Sequence, residues 1–469
     1  MFNAIKRIHF VGIGGSGMSG IAEVLINSGY KISGSDIKKT AITEKLEGLG
    51  ARIFIGHQAD NITHSQVLVI SSAINKHNPE IIEAQNLRIP IIHRSEMLAE
   101  LMRMKYGVIV AGTHGKTTTT SILASSLHHA GLDPTVVIGG KLNSFGSNAK
   151  LGKGDLFVAE ADESDGSFLR LTPTIAIITN IDKDHLDHYS NLDDIVKAFE
   201  TFIDKVPFYG AVCACIDDPI VQMILPKIRR KIITYGLRQD ADITAVDKLT
   251  DGMNTTFTPV IFGKYQPQVT IKMPGLYNLT NSLATFAVAS LLELNMNVIC
   301  KSISAFEGVQ HRFSILAEIN NILIVDDYAH NPKKIETVLK GTKESFPDKQ
   351  IIAIFQPHRY SRLKYQMEDF AKCFVDADRV IVTPIYAAGE SPLEGISKEN
   401  IAHQIKINSF NNTPGTTYSV NSLEEASETA INILNHISPE NGAIVITLGA
   451  GNVRQAGHMI MEKLSFEWK

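Results

Sequence analysis

A short glycine-rich loop near the middle of the chain has the residue types needed to hold phosphate groups. It follows the apolar run Val108–Ala111 and opens a helix-like stretch closed by Gly131. In such loops backbone N–H groups cradle phosphate oxygens, the lysine reaches the β- and γ-phosphates, and the next hydroxyl binds Mg²⁺. An ordinary glycine turn is the alternative, which the Lys-Thr pair directly after an apolar strand disfavours. We predict that ATP is bound here by Gly112, Thr113, His114, Gly115, Lys116, Thr117 and Thr118.

Two acidic clusters follow this loop, each at the end of an apolar run. Leu156–Ala159 leads into Glu160–Asp165, and Ile175–Thr179 leads into Asn180–Asp187. In an open α/β sheet, ligands lie beyond the carboxyl ends of the strands, and carboxylates there are costly unless they are paired or metal-bound. One such cluster could be a solvated loop. Two of them favour an Mg²⁺ site made of hard oxygens and one imidazole.

A second glycine cluster lies near the N-terminus, between the apolar run Ile8–Val11 and a helix-like stretch. Its G-x-G-x-x-G pattern binds a pyrophosphate at a helix N-terminus, and alone it would suggest an NAD-dependent dehydrogenase. UDP-sugars also carry a pyrophosphate, and the ATP-type loop that follows favours a UDP-sugar. The residues predicted to bind it are Gly12, Gly14, Gly15, Ser16, Gly17 and Asp36, with Ser71, His93 and Arg94 at later strand ends.

Charged residues also follow two apolar runs in the C-terminal third. Ile322–Val325 leads into Asp326–His330, and Ile351–Phe355 leads into a segment that contains two arginines. Guanidinium groups bind carboxylates through two parallel hydrogen bonds, so this segment suits the carboxylate of an amino acid. The residues predicted for that site are Tyr328, His330, Arg359 and Arg362.

Together these motifs resemble the Mur ligases. The resemblance rests on Gly112–Thr118, Glu160–Ser167, Asn180–Asp187 and Gly12–Gly20, and it extends in the family's order over essentially the whole chain. It implies an enzyme that joins an amino acid to a carboxylate while cleaving ATP to ADP and phosphate. The N-terminal cluster is similar to that of members acting on UDP-N-acetylmuramate. The segment Asp162–Phe168 is similar to members that add L-alanine rather than a recycled murein tripeptide.

The resemblance also implies roles for single residues, which include adenine binding by Asn278 and Asn281. Asparagines at the start of a helix could equally be caps, so both interpretations stay open for this pair. Arg312 would contact the γ-phosphate, and Asp327 would contact ATP. Thr117 and Glu160 would bind the Mg²⁺ between the β- and γ-phosphates, and Glu160 and His185 would bind a second Mg²⁺. The predicted catalytic residues are Lys116, Glu160, His185 and His330.

One family feature has no direct counterpart in this chain. Several members use a carbamylated lysine after the metal-binding histidine, but counting without gaps reaches Glu200, and the nearest lysine is Lys197. The carboxylate of Glu200 could take that place, or no group could. A second departure lies near the amino-acid site, where members that add alanine commonly read Asp-Asp-Tyr-Gly-His-His-Pro and this chain has Ala329 and Asn331.

Apolar, β-branched runs alternate with helix-like stretches along the chain, which predicts parallel sheets with helical crossovers. At 469 residues the chain exceeds the ~250–300 residues of a single core. The predicted α/β fold has three domains: a Rossmann-like domain at 1–105, a central P-loop ATPase-type domain at 106–310, and a C-terminal Rossmann-like domain at 311–469. Asp242–Val246 and Val269–Met273 could form a small antiparallel insert.

The composition restricts the partners. A formal net charge of −4 gives no global field for nucleic acid or an anionic membrane. The absence of a long apolar run or secretory segment predicts a cytoplasmic protein, and the four cysteines are expected to be reduced thiols. The predicted partners are therefore small molecules, UDP-N-acetylmuramate and L-alanine, and a monomer or a weak homodimer is left open. The non-enzymatic alternative, a regulatory P-loop ATPase, would leave the C-terminal arginines and aspartates unexplained.

Overall fold

The computed structural model describes residues 5–103, 105–139, 148–184, 188–410, 412–413, 415–438 and 440–467. The chain forms two compact units. Unit 1 comprises residues 1–246, 258–269 and 280–307, and unit 2 comprises residues 247–257, 270–279 and 308–469.

The first sheet of unit 1 is parallel, with five strands in the order β3-β2-β1-β4-β5. Its strands are β1 (Arg7–Val11), β2 (Lys31–Asp36), β3 (Arg52–Ile55), β4 (Val67–Ile70) and β5 (Ile91–His93). Its helices are α1 (Ser16–Asn27), α2 (Ala41–Gly48), α3 (Pro79–Asn86) and α4 (Arg94–Met102), with a 3₁₀ turn at Ala59–Ile62. The strand order reverses between β1 and β4, and doubly wound sheets bind ligands at such a switch point.

The second sheet contains the strand before the phosphate loop. Its strands are β6 (Tyr106–Ala111), β7 (Thr135–Val137), β8 (Ala149–Lys150), β9 (Leu156–Glu160), β10 (Ile175–Ile178), β11 (Ala211–Cys215), β12 (Lys231–Tyr235), β13 (Ile243–Asp251), β14 (Asn254–Ile261), β15 (Lys264–Tyr265) and β16 (Val269–Ile271). Their order is β15-β14-β13-β12-β11-β10-β6-β9-β7-β8, with β16 beside β14. Both neighbours of β6 run parallel to it, so three carboxyl ends meet at one edge.

The connecting helices of this region are α5 (Lys116–His129), α6 (Leu192–Asp204), α7 (Pro219–Ile224), α8 (Leu276–Leu291) and α9 (Met296–Ser304), with 3₁₀ turns at Ser167–Arg170 and Leu225–Lys227. Val108, Ile109, Val110 and Ala111 of β6 are fully buried. Strands covered on both faces have such continuous apolar runs, which is why β6 does not alternate between apolar and polar residues.

The sheet of unit 2 has six strands in the order β17-β18-β22-β19-β20-β21. They are β17 (Ser314–Ile319), β18 (Ile322–Asp327), β19 (Gln350–Phe355), β20 (Arg379–Val382), β21 (Thr417–Ser419) and β22 (Ala443–Leu448). The helices are α10 (Pro332–Ser345), α11 (Tyr360–Lys372), α12 (Lys398–Phe410), α13 (Leu423–Leu434) and α14 (Arg454–Glu467). β17 pairs antiparallel with β18, whereas the pairs β18–β22, β22–β19 and β19–β20 are parallel. The carboxyl ends of β18, β22, β19 and β20 therefore lie at one edge.

These three sheets confirm the predicted α/β fold. The predicted insert corresponds to the region of β13 to β16, where β14 and β15 pair antiparallel. The domain boundaries near residues 105 and 310 stay predictions. Within the described part of the chain, no helix is both long enough and apolar enough to span a bilayer.

All four cysteines are free and buried. Burial raises the pKa of Cys213 and of Cys215 to about 12, and that of Cys300 to about 11. Burial also raises the pKa of Cys373 well above its ordinary value. The thiols are therefore protonated at neutral pH.

Candidate active site

The phosphate loop has two glycines in backbone conformations that other residues rarely adopt. Gly112 has φ of 144° and Gly115 has φ of 78°. A Cβ at Gly112 would also overlap the hydroxyl of Thr179, and a Cβ at Gly115 would lie 2.5 Å from Asn281 Oδ1. Both positions therefore require glycine for their conformation and for space.

The loop is braced by the residues that follow β10. His114 N donates to Asn180 Oδ1 over 2.8 Å, and Asp182 N donates to Thr113 Oγ1 over 2.9 Å. Thr179 Oγ1 in turn donates to the carbonyl of His114 over 2.7 Å. These bonds fix the loop without using the N–H groups of the first turn of α5, which begins at Lys116 and carries Thr117 and the buried Thr118. Those N–H groups are the usual phosphate donors.

Lys116 lies inside this site with an acidic partner that the sequence analysis did not select. Its Nζ donates to the carbonyl of Gly112 over 2.6 Å and lies 2.7 Å from Glu163 Oε2. Burial opposes the lysine's charge, but Glu163 and Glu160 outweigh that effect and raise its pKa. Lys116 is therefore a charged lysine with only 13% of its side chain exposed. The buried Glu163 belonged to a recognised acidic cluster, but only the pairing of β9 with β6 brings it to the lysine.

The predicted metal ligands Thr117 and Glu160 are in contact. Thr117 Oγ1 donates to Glu160 Oε1 over 3.0 Å, and Gly139 N donates to the other carboxylate oxygen over 3.1 Å. A hydroxyl and a carboxylate are the hard oxygen ligands that Mg²⁺ prefers. His185, the third predicted ligand, lies outside the described residues, among which no group of three or more His, Cys, Asp or Glu side chains could hold a metal.

Two candidates for the carbamylated lysine's place lie on α6. Glu200 pairs with Lys227 at 2.6 Å, and the exposed Lys197 lies 3.9 Å from Asp194. Each therefore has a charged partner near the surface. Whether Glu200 takes any part in metal binding stays a prediction.

The N-terminal glycine cluster lies at the switch point of the first sheet. Gly14 N donates to Asp36 Oδ2 over 2.8 Å, which ties the loop after β1 to the end of β2. Gly12 has φ of 76°, and Gly15 N bonds back to the Gly12 carbonyl before α1 begins at Ser16. A Cβ at Gly17 would lie 2.8 Å from Arg94 Nη1. The structure thus brings together the glycines, Asp36 and Arg94.

Arg94 and His93, at the end of β5, face the acidic residues that follow β9. Arg94 Nη2 donates to Asp162 Oδ2 over 2.9 Å, and His93 Nε2 lies 3.9 Å from Asp165 Oδ2. Ser72 donates a hydrogen bond to Asp165, and UDP-sugar binding by its neighbour Ser71 stays a prediction. Burial lowers the pKa of His93 against the attraction of Asp165, which favours a neutral ring at pH 7.

The two asparagines of α8 have different partners. Asn281 Oδ1 accepts a hydrogen bond from Thr119 Oγ1 over 3.2 Å and faces Gly115 of the phosphate loop. The buried Asn278 donates to the carbonyl of Pro274 over 2.8 Å, a bond at the start of the helix. Asn281 therefore lies at the phosphate loop and Asn278 has a local backbone partner, and adenine binding by this pair stays a prediction.

In unit 2 the end of β18 is fixed by Asp327. This buried carboxylate accepts hydrogen bonds from Phe313 N and Ala329 N, each over 2.8 Å. Burial raises its pKa, and the neighbouring Arg312 acts in the opposite direction. The Arg312 guanidinium lies over the ring of Tyr328, 5.3 Å from its centroid.

The two departures from the alanine-type motif have clear local roles. Ala329 is fully buried, and its N–H is one of the two donors to Asp327. Asn331 caps α10, since its side chain accepts a hydrogen bond from Lys334 N over 2.9 Å. Asparagine is a preferred residue at that position.

The predicted amino-acid site contains a group of rings and guanidinium groups at the ends of β18 and β19. Arg362 Nη1 lies 3.4 Å from His358 Nδ1, and the rings of His358 and His330 lie 6.0 Å apart. The His358 ring also stacks on Tyr386. Burial, Arg362 and Arg359 lower the pKa of His358 to about 4. Burial, with Lys334 and Arg362, lowers the pKa of His330 well below its ordinary value.

Arg359 has an unusual backbone conformation. Its φ of 70° lies in the left-handed region, which costs an arginine free energy. Its N–H donates to the Tyr386 carbonyl over 2.9 Å, which holds the strained residue in place. Such strain often occurs at functional sites.

A cavity of about 500 Å³ lies beside this edge of the same sheet. His311, Asp326 and Arg454 line it, together with the loop that follows β22. Asp326 Oδ2 lies 2.8 Å from His311 Nδ1 and 3.9 Å from Arg454 Nε. The Gly449–Asn452 loop reaches this cavity because β22 lies between β18 and β19 in the sheet, an order that the sequence does not reveal.

Three family models match successive parts of the chain. Their descriptions are Mur ligase family, catalytic domain, over residues 7–106; Mur ligase middle domain, over 110–289; and Mur ligase, glutamate ligase domain, over 311–451. Since these matches cover most of the chain in the order of its three sheets, the chain belongs to the Mur ligase family.

Two relatives of this chain are named UDP-N-acetylmuramate–L-alanine ligase, and one similar solved structure is named UDP-N-acetylmuramate–alanine ligase. A UDP-N-acetylmuramate–L-alanine ligase of Geotalea uraniireducens (strain Rf4) is 51% identical over 464 residues, 99% of each chain. Another, of Sulfurihydrogenibium sp. (strain YO3AOP1), is 49% identical and covers 98% of each chain. The crystal structure of a UDP-N-acetylmuramate–alanine ligase from Thermotoga maritima matches with a TM-score of 0.81 at 31% identity, over 98% of this chain and 99% of that chain.

Proposed function

We propose that this chain joins L-alanine to the lactyl carboxylate of UDP-N-acetylmuramate, with cleavage of ATP to ADP and phosphate, in the synthesis of peptidoglycan precursors. The observation that carries the proposal is the 51% identity, over 99% of both chains, to a UDP-N-acetylmuramate–L-alanine ligase. The phosphate loop with its largely buried lysine and the glycine-lined switch point of the first sheet support the same assignment.

In the first step the lactyl carboxylate attacks the γ-phosphorus of ATP, the bond to the ADP oxygen breaks, and an acyl phosphate forms. Both reactants are anionic, so neutralisation of charge must lower the barrier. Lys116 would supply a positive charge at the β- and γ-phosphates, and the first turn of α5 would donate backbone N–H groups to phosphate oxygens. Arg312 is proposed to contact the γ-phosphate, and Asp327 is proposed to contact ATP.

Mg²⁺ fits the pair formed by Thr117 and Glu160, whose oxygens lie 3.0 Å apart between the start of α5 and the end of β9. These residues would hold the ion, and Glu160 and His185 are proposed to hold a second Mg²⁺. When bound, the ion would neutralise charge on the phosphates. Glu160 also accepts the N–H of Gly139, which orients its carboxylate toward Thr117.

In the second step the amine of L-alanine attacks the carbonyl carbon of the acyl phosphate. Phosphate leaves with its electron pair, the amide bond forms, and the nitrogen loses a proton. Arg359 and Arg362 would bind the carboxylate of L-alanine, and Tyr328 would line the same site. His330, held neutral by burial and by nearby cations, could orient the amine or accept its proton.

A phosphate-release assay tests this proposal. ATP with Mg²⁺ and UDP-N-acetylmuramate should give phosphate only when L-alanine is added, and mass spectrometry should find the amide product. A panel of amino acids and a murein tripeptide would be run in parallel. Turnover with the tripeptide but not with L-alanine, or phosphate release that is independent of the UDP-sugar, would refute the assignment.

A further inference from the structure

The loop Asp162–Asp165, here called the acidic loop, contains consecutive carboxylates that pair with cations from two different places in unit 1. Asp162 Oδ2 lies 2.9 Å from Arg94 Nη2, at the end of the first sheet. Glu163 Oε2 lies 2.7 Å from Lys116 Nζ, in the phosphate loop. Neighbouring residues of one loop thus pair with two cations, one after a strand of the first sheet and the other after a strand of the second sheet.

Each of these cations is proposed to meet a phosphate group of a different substrate. Arg94 lies against Gly17 of the N-terminal glycine cluster, where a UDP pyrophosphate would bind. Lys116 bonds to the Gly112 carbonyl inside the ATP loop. A phosphate that approaches either cation must compete with a carboxylate that already neutralises it. Binding at each site therefore requires a change in the same loop.

The acidic loop is held by hydrogen bonds within it and to residues that follow it. Ser164 Oγ donates to Asp162 Oδ1 over 2.7 Å, and Ser167 N donates to Asp165 Oδ1 over 3.0 Å. Tyr189 donates its hydroxyl hydrogen to the carbonyl of Glu163 over 2.8 Å. Because the loop is cross-linked in this way, a displacement that begins at Glu163 should also move Asp162.

We propose that the acidic loop couples the two nucleotide sites, with Glu163 and Asp162 as positioning residues that compete with phosphate groups for Lys116 and Arg94. Binding of the first nucleotide supplies the free energy that separates the loop from its cations, so the second nucleotide binds more tightly. This inference rests on the proposed function, because it takes ATP and a UDP-sugar as the two ligands. Such coupling must be reciprocal.

Calorimetry on the full chain with Mg²⁺ measures this coupling directly. The probes are UDP-N-acetylmuramate and an ATP analogue with a β,γ-imido bridge, each titrated alone and in the presence of the other. Each ligand should raise the affinity for the other by the same factor, at least about fivefold, the lower end of typical coupling between sites. Equal affinities with and without the second ligand would overturn the proposal.

Two variants identify the loop as the source of the coupling. Glu163→Gln should bind the ATP analogue alone severalfold more tightly than the native protein, because the competing charge is gone, and its coupling factor should fall toward one. Asp162→Asn, at a more exposed carboxylate, should do the same for the UDP-sugar. A purely structural role for Glu163 would instead weaken binding of the ATP analogue and leave the coupling factor at its native value. Native coupling in both variants would also overturn the proposal.

Asp155→Asn is the matched control, because Asp155 is an exposed aspartate directly before β9, at the opposite end of the strand from the acidic loop. It should keep the native affinities and the native coupling factor. Failure of the proposed function is distinguishable from failure of the coupling. In the first case UDP-N-acetylmuramate does not bind at all, and in the second case both nucleotides bind independently.

Discussion

Thr117 Oγ1 donates a hydrogen bond to Glu160 Oε1 over 3.0 Å, although the two residues belong to different elements. Thr117 lies in the first turn of α5, and Glu160 is the last residue of β9. The parallel register pairs Val110 of β6 with Glu160, which brings the carboxylate next to the loop that leaves β6. The pairing of β6 with β9 therefore positions two of the three proposed metal ligands next to each other.

Replacing Glu160 should impair the use of Mg²⁺. Glu160→Gln keeps a side-chain oxygen for Thr117 but removes the negative charge, so the Mg²⁺ concentration for half-maximal turnover should rise. Substitution of a residue that hydrogen-bonds to a metal ligand typically weakens metal binding or activity ~10–100-fold, and loss of the ligand itself should have a larger effect. Turnover measured against Mg²⁺ at fixed ATP tests this, with Asp155→Asn as control. An unchanged Mg²⁺ dependence would place the ion elsewhere.

Lys116→Ala should abolish turnover, with a loss of at least ~10²-fold, because it removes positive charge from the transferred phosphate. It also leaves Glu163 buried without its closest cation, and breaking a buried ion pair costs about 3–5 kcal/mol of stability. The double variant Lys116→Ala, Glu163→Gln separates the effects. Its thermal midpoint should recover toward the native value while phosphate release stays absent. Near-native ligation by either variant contradicts the role of this lysine.

A bulky residue at Gly14 should damage the UDP-sugar site selectively. A Cβ there would lie 2.8 Å from Asp36 Oδ2, so Gly14→Leu must disturb the bond that ties β1 to β2. The KM for UDP-N-acetylmuramate should rise strongly, with a smaller change for ATP, and NAD should not compete. Gly48→Leu, at an exposed position with open space, is the matched control. Tight NAD binding without a response to the UDP-sugar would support the dehydrogenase alternative instead.

The arginines of unit 2 should determine the affinity for L-alanine. Arg359→Ala or Arg362→Ala should raise the KM for L-alanine about 10- to 100-fold, because a hydrogen bond to a charged group contributes ~1.5–3 kcal/mol. The KM for ATP should stay unchanged. Lysine at either position should rescue only in part, because it lacks the planar two-donor geometry. Glycine and L-serine should be poor but detectable substrates. A normal KM for L-alanine in both alanine variants would move the amino-acid site elsewhere.

Stability should depend on pH through His358, which faces Arg359, Arg362, Glu390, His330 and Tyr386. Its pKa of about 4 lies below the ~6.5 of an unfolded histidine. Between these values the unfolded chain binds the proton and the folded chain does not. The stabilisation that the unprotonated His358 gives the folded protein is therefore complete above pH ~6.5 and is lost as the pH falls toward 4. His358→Asn should show a smaller drop in unfolding free energy from pH 7 to pH 5, measured by urea denaturation. Equal drops would contradict the assignment.

Short sequence motifs predicted much of the fold and the position of the phosphate loop. The strands and the phosphate loop follow from short runs of residues, because glycine conformation and apolar burial are local properties. The pairing of Lys116 with Glu163 is not local, since it depends on β9 lying beside β6. The cavity at Arg454 depends likewise on the last strand, β22, entering between β18 and β19. The left-handed conformation of Arg359 had no signal, because nothing in an arginine predicts positive φ.

The four buried cysteines make the folded protein a convenient subject for site-directed labelling. Their raised pKa values keep the sulfur atoms protonated, and only the thiolate reacts with maleimides or disulfide reagents. A single cysteine introduced at an exposed position could then carry a fluorophore without removal of the native residues. Such a dye, placed in either compact unit, would report on its own surroundings as the substrates bind.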